Sequence, residues 1–180
     1  MVKLSQDKIL EYLQKGNRAT TKDEKGTALE DLINYLFESI PGIKIIGRDK
    51  VDHFKSEEID IGCRNDRHPD GLLDSIFPFC FLIECKNWEE KVGSKEVIVF
   101  EKKLIDRCIS FGIIVATNGI TGDKTDLTSA HQIVADALSR DRRIIVLKRE
   151  DIEALTDSFQ LVELIKQKLC ELYIFRTCFS

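Results

Sequence analysis

Glu84 and Lys86 stand two positions apart at the end of an apolar run, Phe79-Cys80-Phe81-Leu82-Ile83. On a β-strand, residues i and i+2 point to one face, so this spacing sets a carboxylate beside an ammonium. Asp60 sits in a second short alternating stretch, Glu58-Ile59-Asp60-Ile61-Gly62. If the two stretches pair as one hairpin, Asp60 lies next to Glu84. Two carboxylates and a lysine form a hard, oxygen-rich pocket that suits Mg²⁺ or Mn²⁺. Such an ion polarises a phosphoryl oxygen and lowers the pKa of a bound water. Lys86 can orient that water or offset charge building in the transition state, and the backbone carbonyl of Cys85 can add a further ligand. These are the parts of a phosphodiester hydrolase.

The rest of the chain must position these groups. Residues 5–15 read as a short helix, with Ile9, Leu10 and Leu13 as its apolar stripe, Ser5 as cap and Gly16 as stop. Thr27 can cap a second helix, with Glu30 three residues later as its capping-box partner. Leu29, Leu32, Ile33, Leu36 and Phe37 form that helix's buried stripe, and Pro41-Gly42 ends it. Strands follow at 43–47, 58–62 and 79–86, with a long hairpin loop over 64–78. A helix over 94–110, a buried strand at 112–118, a helix over 127–139, a buried strand at 143–147 and a mostly helical stretch over 151–172 complete the chain. The order, α-β-β-β-α-β-α-β-α, predicts an α/β fold with a mixed sheet flanked by helices. Residues 1–24 read as an N-terminal helical extension and 25–180 as the main domain.

The motifs Glu58-Ile-Asp60-Ile-Gly62 and Leu82-Ile-Glu84-Cys-Lys86-Asn-Trp88 resemble the pattern of the PD-(D/E)xK nuclease superfamily. The proline of the signature is absent. Gly26-Thr27-Ala28-Leu29-Glu30 resembles the helix that brings an additional acidic residue in archaeal Holliday-junction resolvases and Mrr-like restriction endonucleases. The stretches 113–121 and 142–147 are similar to strands of Mrr-like domains, so the resemblance covers residues 25–150. It implies a restriction-endonuclease-like fold and a metal-dependent DNA endonuclease. Asp60 and Glu84 would be metal ligands, Lys86 the catalytic lysine and Glu30 an auxiliary carboxylate. Restriction of foreign DNA and DNA repair both fit it.

Several readings stay open. Asp60 and Glu84 are 24 positions apart (84 − 60), and Asp70 or Asp74 in the intervening loop can replace Asp60 as ligand. Glu30 can cap its helix or reach a metal, and the two roles conflict. Trp88 can stack on a base or anchor the strand end. Lys91, Lys95, Lys102, Lys103 and Arg107 can line a phosphate track or form a solvated helix face. Asn87, Ser94 and Lys95, nearest the motif, are the expected nucleic-acid contacts.

The bulk numbers bound these readings. The 180-residue chain is 43% hydrophobic and 32% charged, ordinary for a globular domain. No apolar run is long enough to cross a bilayer and no signal peptide opens the chain, so a cytoplasmic protein with reduced cysteines is expected. None of the six cysteines has C-x-x-C spacing, which argues against a zinc ribbon or a dithiol redox motif. The net charge of −4 is unusual for a nucleic-acid binder. It leaves room for a second class of function, a catalytically silent subunit of the same fold that binds nucleic acid or protein. An enzyme acting on a small phosphate compound is disfavoured, because no Gly-rich phosphate loop occurs. A separate recognition domain is not expected in a chain of this length, so a homodimer or a partner protein would supply DNA specificity, and a homodimer would reach both strands.

Overall fold

A computed structural model describes residues 2–51, 58–68, 76–122 and 130–177. Asp70 and Asp74, with the rest of 69–75 in the expected hairpin loop, and the start of the helix expected over 127–139 lie outside them.

Among the described residues six helices surround a five-stranded sheet of order β1-β2-β3-β4-β5. Strands β1 (Ile43–Val51), β2 (Glu58–Asn65) and β3 (Cys80–Lys86) are antiparallel neighbours. From β3 the sheet continues in parallel through β4 (Phe111–Ala116) to β5 (Arg143–Leu147). The crossovers run through α3 (Ser94–Asp106) and α4 (Ala130–Ser139). The chain is thus an α/β protein with a mixed sheet. Every residue of β4 is buried, the signature of a strand covered on both faces.

Helices α1 (Gln6–Arg18) and α2 (Lys22–Glu38) pack together, and α2 lies over the antiparallel strands. Ile9 and Leu13 of α1 enter the same core as Leu29, Leu32, Ile33, Leu36 and Phe37 of α2. The helix expected as an N-terminal extension therefore shares its core with the rest of the described chain.

Local sequence misplaces the start of α2. Thr21, not Thr27, is its N-cap: the Thr21 hydroxyl accepts from the Glu24 N–H, and Glu24 reaches back to the cap N–H. Thr27 and Glu30 lie inside the helix. The conflict between capping and function at Glu30 disappears.

Helical spacing over 94–110 marks Val97, Ile98, Glu101, Leu104, Ile105 and Cys108 as one face, and α3 buries only part of it. Val97, Phe100, Glu101, Lys103 and Leu104 are buried, whereas Ile98, Ile105 and Cys108 are exposed. The helix ends at Asp106, and Cys108 takes a left-handed backbone (φ 53°) just past it. Close approach of α3 to β4 depends on Gly112, where an added Cβ would lie 2.7 Å from the Phe100 ring.

The stretch expected to be mostly helical over 151–172 forms two helices, α5 (Arg149–Glu153) and α6 (Ser158–Phe175). The chain's N-terminus holds them apart. The Leu4 N–H donates to Thr156 O at 2.9 Å and Ser158 N–H donates to Val2 O at 2.9 Å. Asp157 then caps α6 by accepting from the Gln160 N–H. No helix among the described residues is long and apolar enough to cross a membrane.

Candidate active site

In the antiparallel pairing of β2 with β3, Ile61 stands opposite Ile83. One step further along both strands puts Asp60 level with Glu84, as the sequence spacing anticipates. Lys86 joins them: its Nζ lies 2.8 Å from Glu84 Oε1 and 3.8 Å from Asp60 Oδ2. The other restraint on Asp60 comes from the backbone, since the Cys85 N–H donates to Asp60 Oδ2 at 2.8 Å.

Sequence reasoning misses the next partner. Lys103, on α3, places its Nζ 2.7 Å from Glu84 Oε2. Its side chain is only 8% exposed, so this is an interior ion pair and not part of a solvated helix face. Both oxygens of Glu84 are therefore held by ammonium groups. A lysine three residues after Phe100 and one before Leu104, on a helix whose apolar positions face the sheet, is the signal that marks it.

Glu30 belongs to a separate set of ion pairs. It sits on α2, buried, with Arg48 Nε 3.1 Å from its Oε2. The same guanidinium donates to Asp31 Oδ1 at 2.5 Å and to Thr27 O at 3.1 Å. Arg48 reaches α2 because β1 carries a bulge. Ile45 pairs with Cys63 and Gly47 with Gly62, leaving Ile46 as the extra residue. The insertion shifts the alternation and turns Arg48 to the face α2 covers.

A cavity of about 310 Å³ opens at this end of the sheet. Glu30, Glu58, Asp60, Cys85, Lys86, Asn87 and Trp88 line it. Glu84 does not line it and meets it through Lys86. Three of the four expected catalytic residues thus share one cavity wall, and the fourth is in contact with one of them. Glu58 is a further carboxylate of the wall that the motif alone did not single out.

The electrostatics follow from burial. Burial, then the nearby charge of Glu84, raises the pKa of Asp60 above the ordinary aspartate value, against the pull of Lys86, the Cys85 N–H and Lys103. For Lys86, burial acts downward but is outweighed by Glu84 and Asp60, so its pKa is raised. Lys86 is therefore an ammonium at neutral pH. Burial drives the Cys85 thiol far above its usual range, which leaves it protonated and inert.

Of the expected nucleic-acid contacts, only Asn87 reaches the cavity. Its amide Nδ2 donates to Lys25 O at 3.0 Å, and it packs on Gly16, where a Cβ would come within 2.6 Å. It ties α1 and α2 to the end of β3. Ser94 and Lys95 form the first turn of α3 and do not line the cavity.

The donor chemistry suits a hard divalent cation. Mg²⁺ commonly takes one or two carboxylates and completes its shell with water and substrate phosphate oxygens. Asp60, Glu84 and the Cys85 carbonyl are donors of that kind. No group of three or more His, Cys, Asp or Glu side chains placed to hold a metal occurs among the described residues. An ion here would have to displace Lys86 from the carboxylates. The chain matches no protein-family model and no curated protein.

Proposed function

We propose that the chain is a divalent-metal-dependent endodeoxyribonuclease of the PD-(D/E)xK kind, with Asp60, Glu84 and Lys86 at its centre. The observation that carries this reading is the meeting of Asp60 and Glu84 on one lysine at the mouth of a cavity, from two strands paired in the required register. The restriction-endonuclease-like arrangement is proposed on the same ground, an antiparallel hairpin extended by parallel βα units.

Asp60 and Glu84 would hold Mg²⁺ or Mn²⁺, which would supply Lewis acidity toward the phosphoryl oxygen and a more acidic water. Lys86, released from the carboxylates, would carry its charge to the scissile phosphate. Lys103 would stay on Glu84 Oε2, fixing the carboxylate and leaving Oε1 for the ion. Glu30, steadied by Arg48, would face the same cavity as an auxiliary carboxylate. A homodimer would bring two such sites to the two strands of a duplex. Restriction of foreign DNA and repair are the roles compatible with this chemistry.

The test is cleavage of plasmid and branched DNA with Mn²⁺ or Mg²⁺, comparing the wild type with Asp60→Ala and Lys86→Ala. Metal-dependent cutting lost in both variants is the expected result.

A specific observation supports a second reading, a nuclease-fold subunit that binds without cutting. Glu84 is neutralised at both oxygens, and Glu30 is paired with Arg48. A wild type that takes up no Mn²⁺ would favour this reading over the first.

A further inference from the structure

Trp88 is the only tryptophan of the chain and lies two residues beyond Lys86, where β3 has ended. Its backbone is fixed. The Trp88 carbonyl accepts from Asn118 Nδ2 at 2.6 Å and from Thr117 Oγ1 at 3.3 Å, so the chain here is tied to the end of β4. The carbonyl does the anchoring, and Trp88 as a whole is left 38% exposed. An indole that anchored the strand by its ring would be buried instead.

Trp88 stands between two openings. It lines the cavity of Asp60 and Lys86, and it also lines a second cavity of about 250 Å³. Asn17, Lys25, Asn118 and Arg149 contribute to the second cavity's wall. Two cations against the single carboxylate of Glu89 give that wall a positive balance, although Lys25 pairs with Glu89 and Arg149 with Glu153. Amide groups and cations are suited to sugar and phosphate oxygens. On the other side, Lys86 Nζ lies 5.9 Å from the centre of the Trp88 ring. A phosphate held at Lys86 would be next to the indole of a partly exposed tryptophan.

We propose that Trp88 is a stacking platform for the nucleobase adjoining the phosphodiester held at Lys86, and that the preferred ligand is a DNA strand unpaired at that base. The phosphate's position rests on the nuclease reading above; the stacking does not need catalysis. A paired base inside a duplex keeps both faces covered by its neighbours, so only an unpaired or extruded base can lie on the indole. The second cavity receives the sugar and phosphate that continue from it.

Because Trp88 is the sole tryptophan, its fluorescence reports on this contact directly. The experiment titrates the full chain, in EDTA, with a short oligodeoxythymidylate and with a blunt duplex of matched length. Saturable quenching by the single strand, with little from the duplex, is expected. By anisotropy of a labelled oligodeoxythymidylate, Trp88→Ala should bind roughly tenfold more weakly, and Trp88→Phe, which keeps an aromatic face, within about threefold of the wild type. Circular dichroism checks that both variants are folded.

Binding without quenching, no binding of the single strand, equal quenching by the duplex, or wild-type affinity in Trp88→Ala each overturns the proposal. The same preparation is assayed for cutting with Mn²⁺. Quenching in a protein that does not cut keeps the stacking site and removes the nuclease reading. Cutting without quenching does the reverse.

Discussion

Glu84 is shared between two lysines inside the protein, with Lys103 on Oε2 at 2.7 Å and Lys86 on Oε1 at 2.8 Å. The two cations differ in what they can do. Lys86 lines the cavity and can leave the carboxylate, whereas Lys103 comes from the next helix and is closed off from solvent. One lysine is placed to meet a ligand and the other to keep the carboxylate where it is.

Breaking a buried ion pair from one side leaves the other charge poorly compensated. Lys103→Met should therefore lower the unfolding free energy in urea by about 3 kcal/mol, the low end for such pairs, because Lys86 still faces Glu84. Adding Glu84→Gln should cost less in this background than in the wild type, by at least about 1 kcal/mol in a double-mutant cycle. A Lys103→Met protein as stable as the wild type would mean that the pair contributes nothing.

The position of Lys103 depends in turn on a glycine of β4. A Cβ at Gly112 would come within 2.7 Å of the Phe100 ring and 2.9 Å of Leu104, the residues that flank Lys103 on the α3 face. Gly112→Ala should push α3 outward, with a loss of about 1–3 kcal/mol, as for other overpacked cores. Gly26→Ala is the matched control. Its Cβ would meet only Glu30 Oε1 at 3.7 Å, inside a helix, where alanine is favoured by up to about 1 kcal/mol. Thermal unfolding should move in opposite directions for the two variants.

Local pattern suffices for the strands that carry the site. The apolar run before Glu84 and the i, i+2 spacing to Lys86 define β3 and its functional face, and β5 falls at 143–147 as read. What local pattern cannot decide is which of two equivalent signals wins. Thr21-x-x-Glu24 and Thr27-x-x-Glu30 are both capping boxes by composition. The first is used because the next turn is needed in the core, where Ala28 and Leu29 are buried and Thr27 O accepts from Arg48. The break between α5 and α6 has a similar origin, since the groups that interrupt the helix come from residues 2 and 4. Lys103 and Arg48 were hidden for the same reason: each is an ordinary surface charge until a helix or a bulge brings a distant carboxylate to it.

Arg48 joins β1 to α2 through Glu30, Asp31 and Thr27 O. Burial tends to raise the Asp31 pKa, but hydrogen bonds from Arg48 and Lys15 and their charges outweigh it, and the value is lowered. A carboxyl whose folded pKa is depressed stabilises the protein above its unfolded pKa, about 3.9 for aspartate, and that contribution is lost as pH falls through the folded value. Arg48→Met should thus be less stable than the wild type at pH 7, with the gap narrowing toward pH 3. Urea midpoints at both pH values check this; a gap that widens in acid would contradict the assignment.

His131 provides a second pH dependence, away from the site and of a different kind. It lies on α4, 6% exposed, and burial first, then the charges of Lys148 and Lys91, lower its pKa to about 4. The unfolded chain binds its proton near the usual value of about 6.5, so between these values the unfolded state holds more protons than the folded one. Stability contributed by neutral His131 is complete above pH 6.5 or so and declines as pH falls toward 4. From pH 7 to pH 5 the linkage amounts to about 2 kcal/mol. His131→Leu removes the titrating ring, so its unfolding free energy should fall about 2 kcal/mol less than that of the wild type over the same interval. Paired urea titrations at pH 7 and pH 5 decide the matter: parallel losses in the two proteins would show that His131 takes up its proton as readily in the fold as in the open chain.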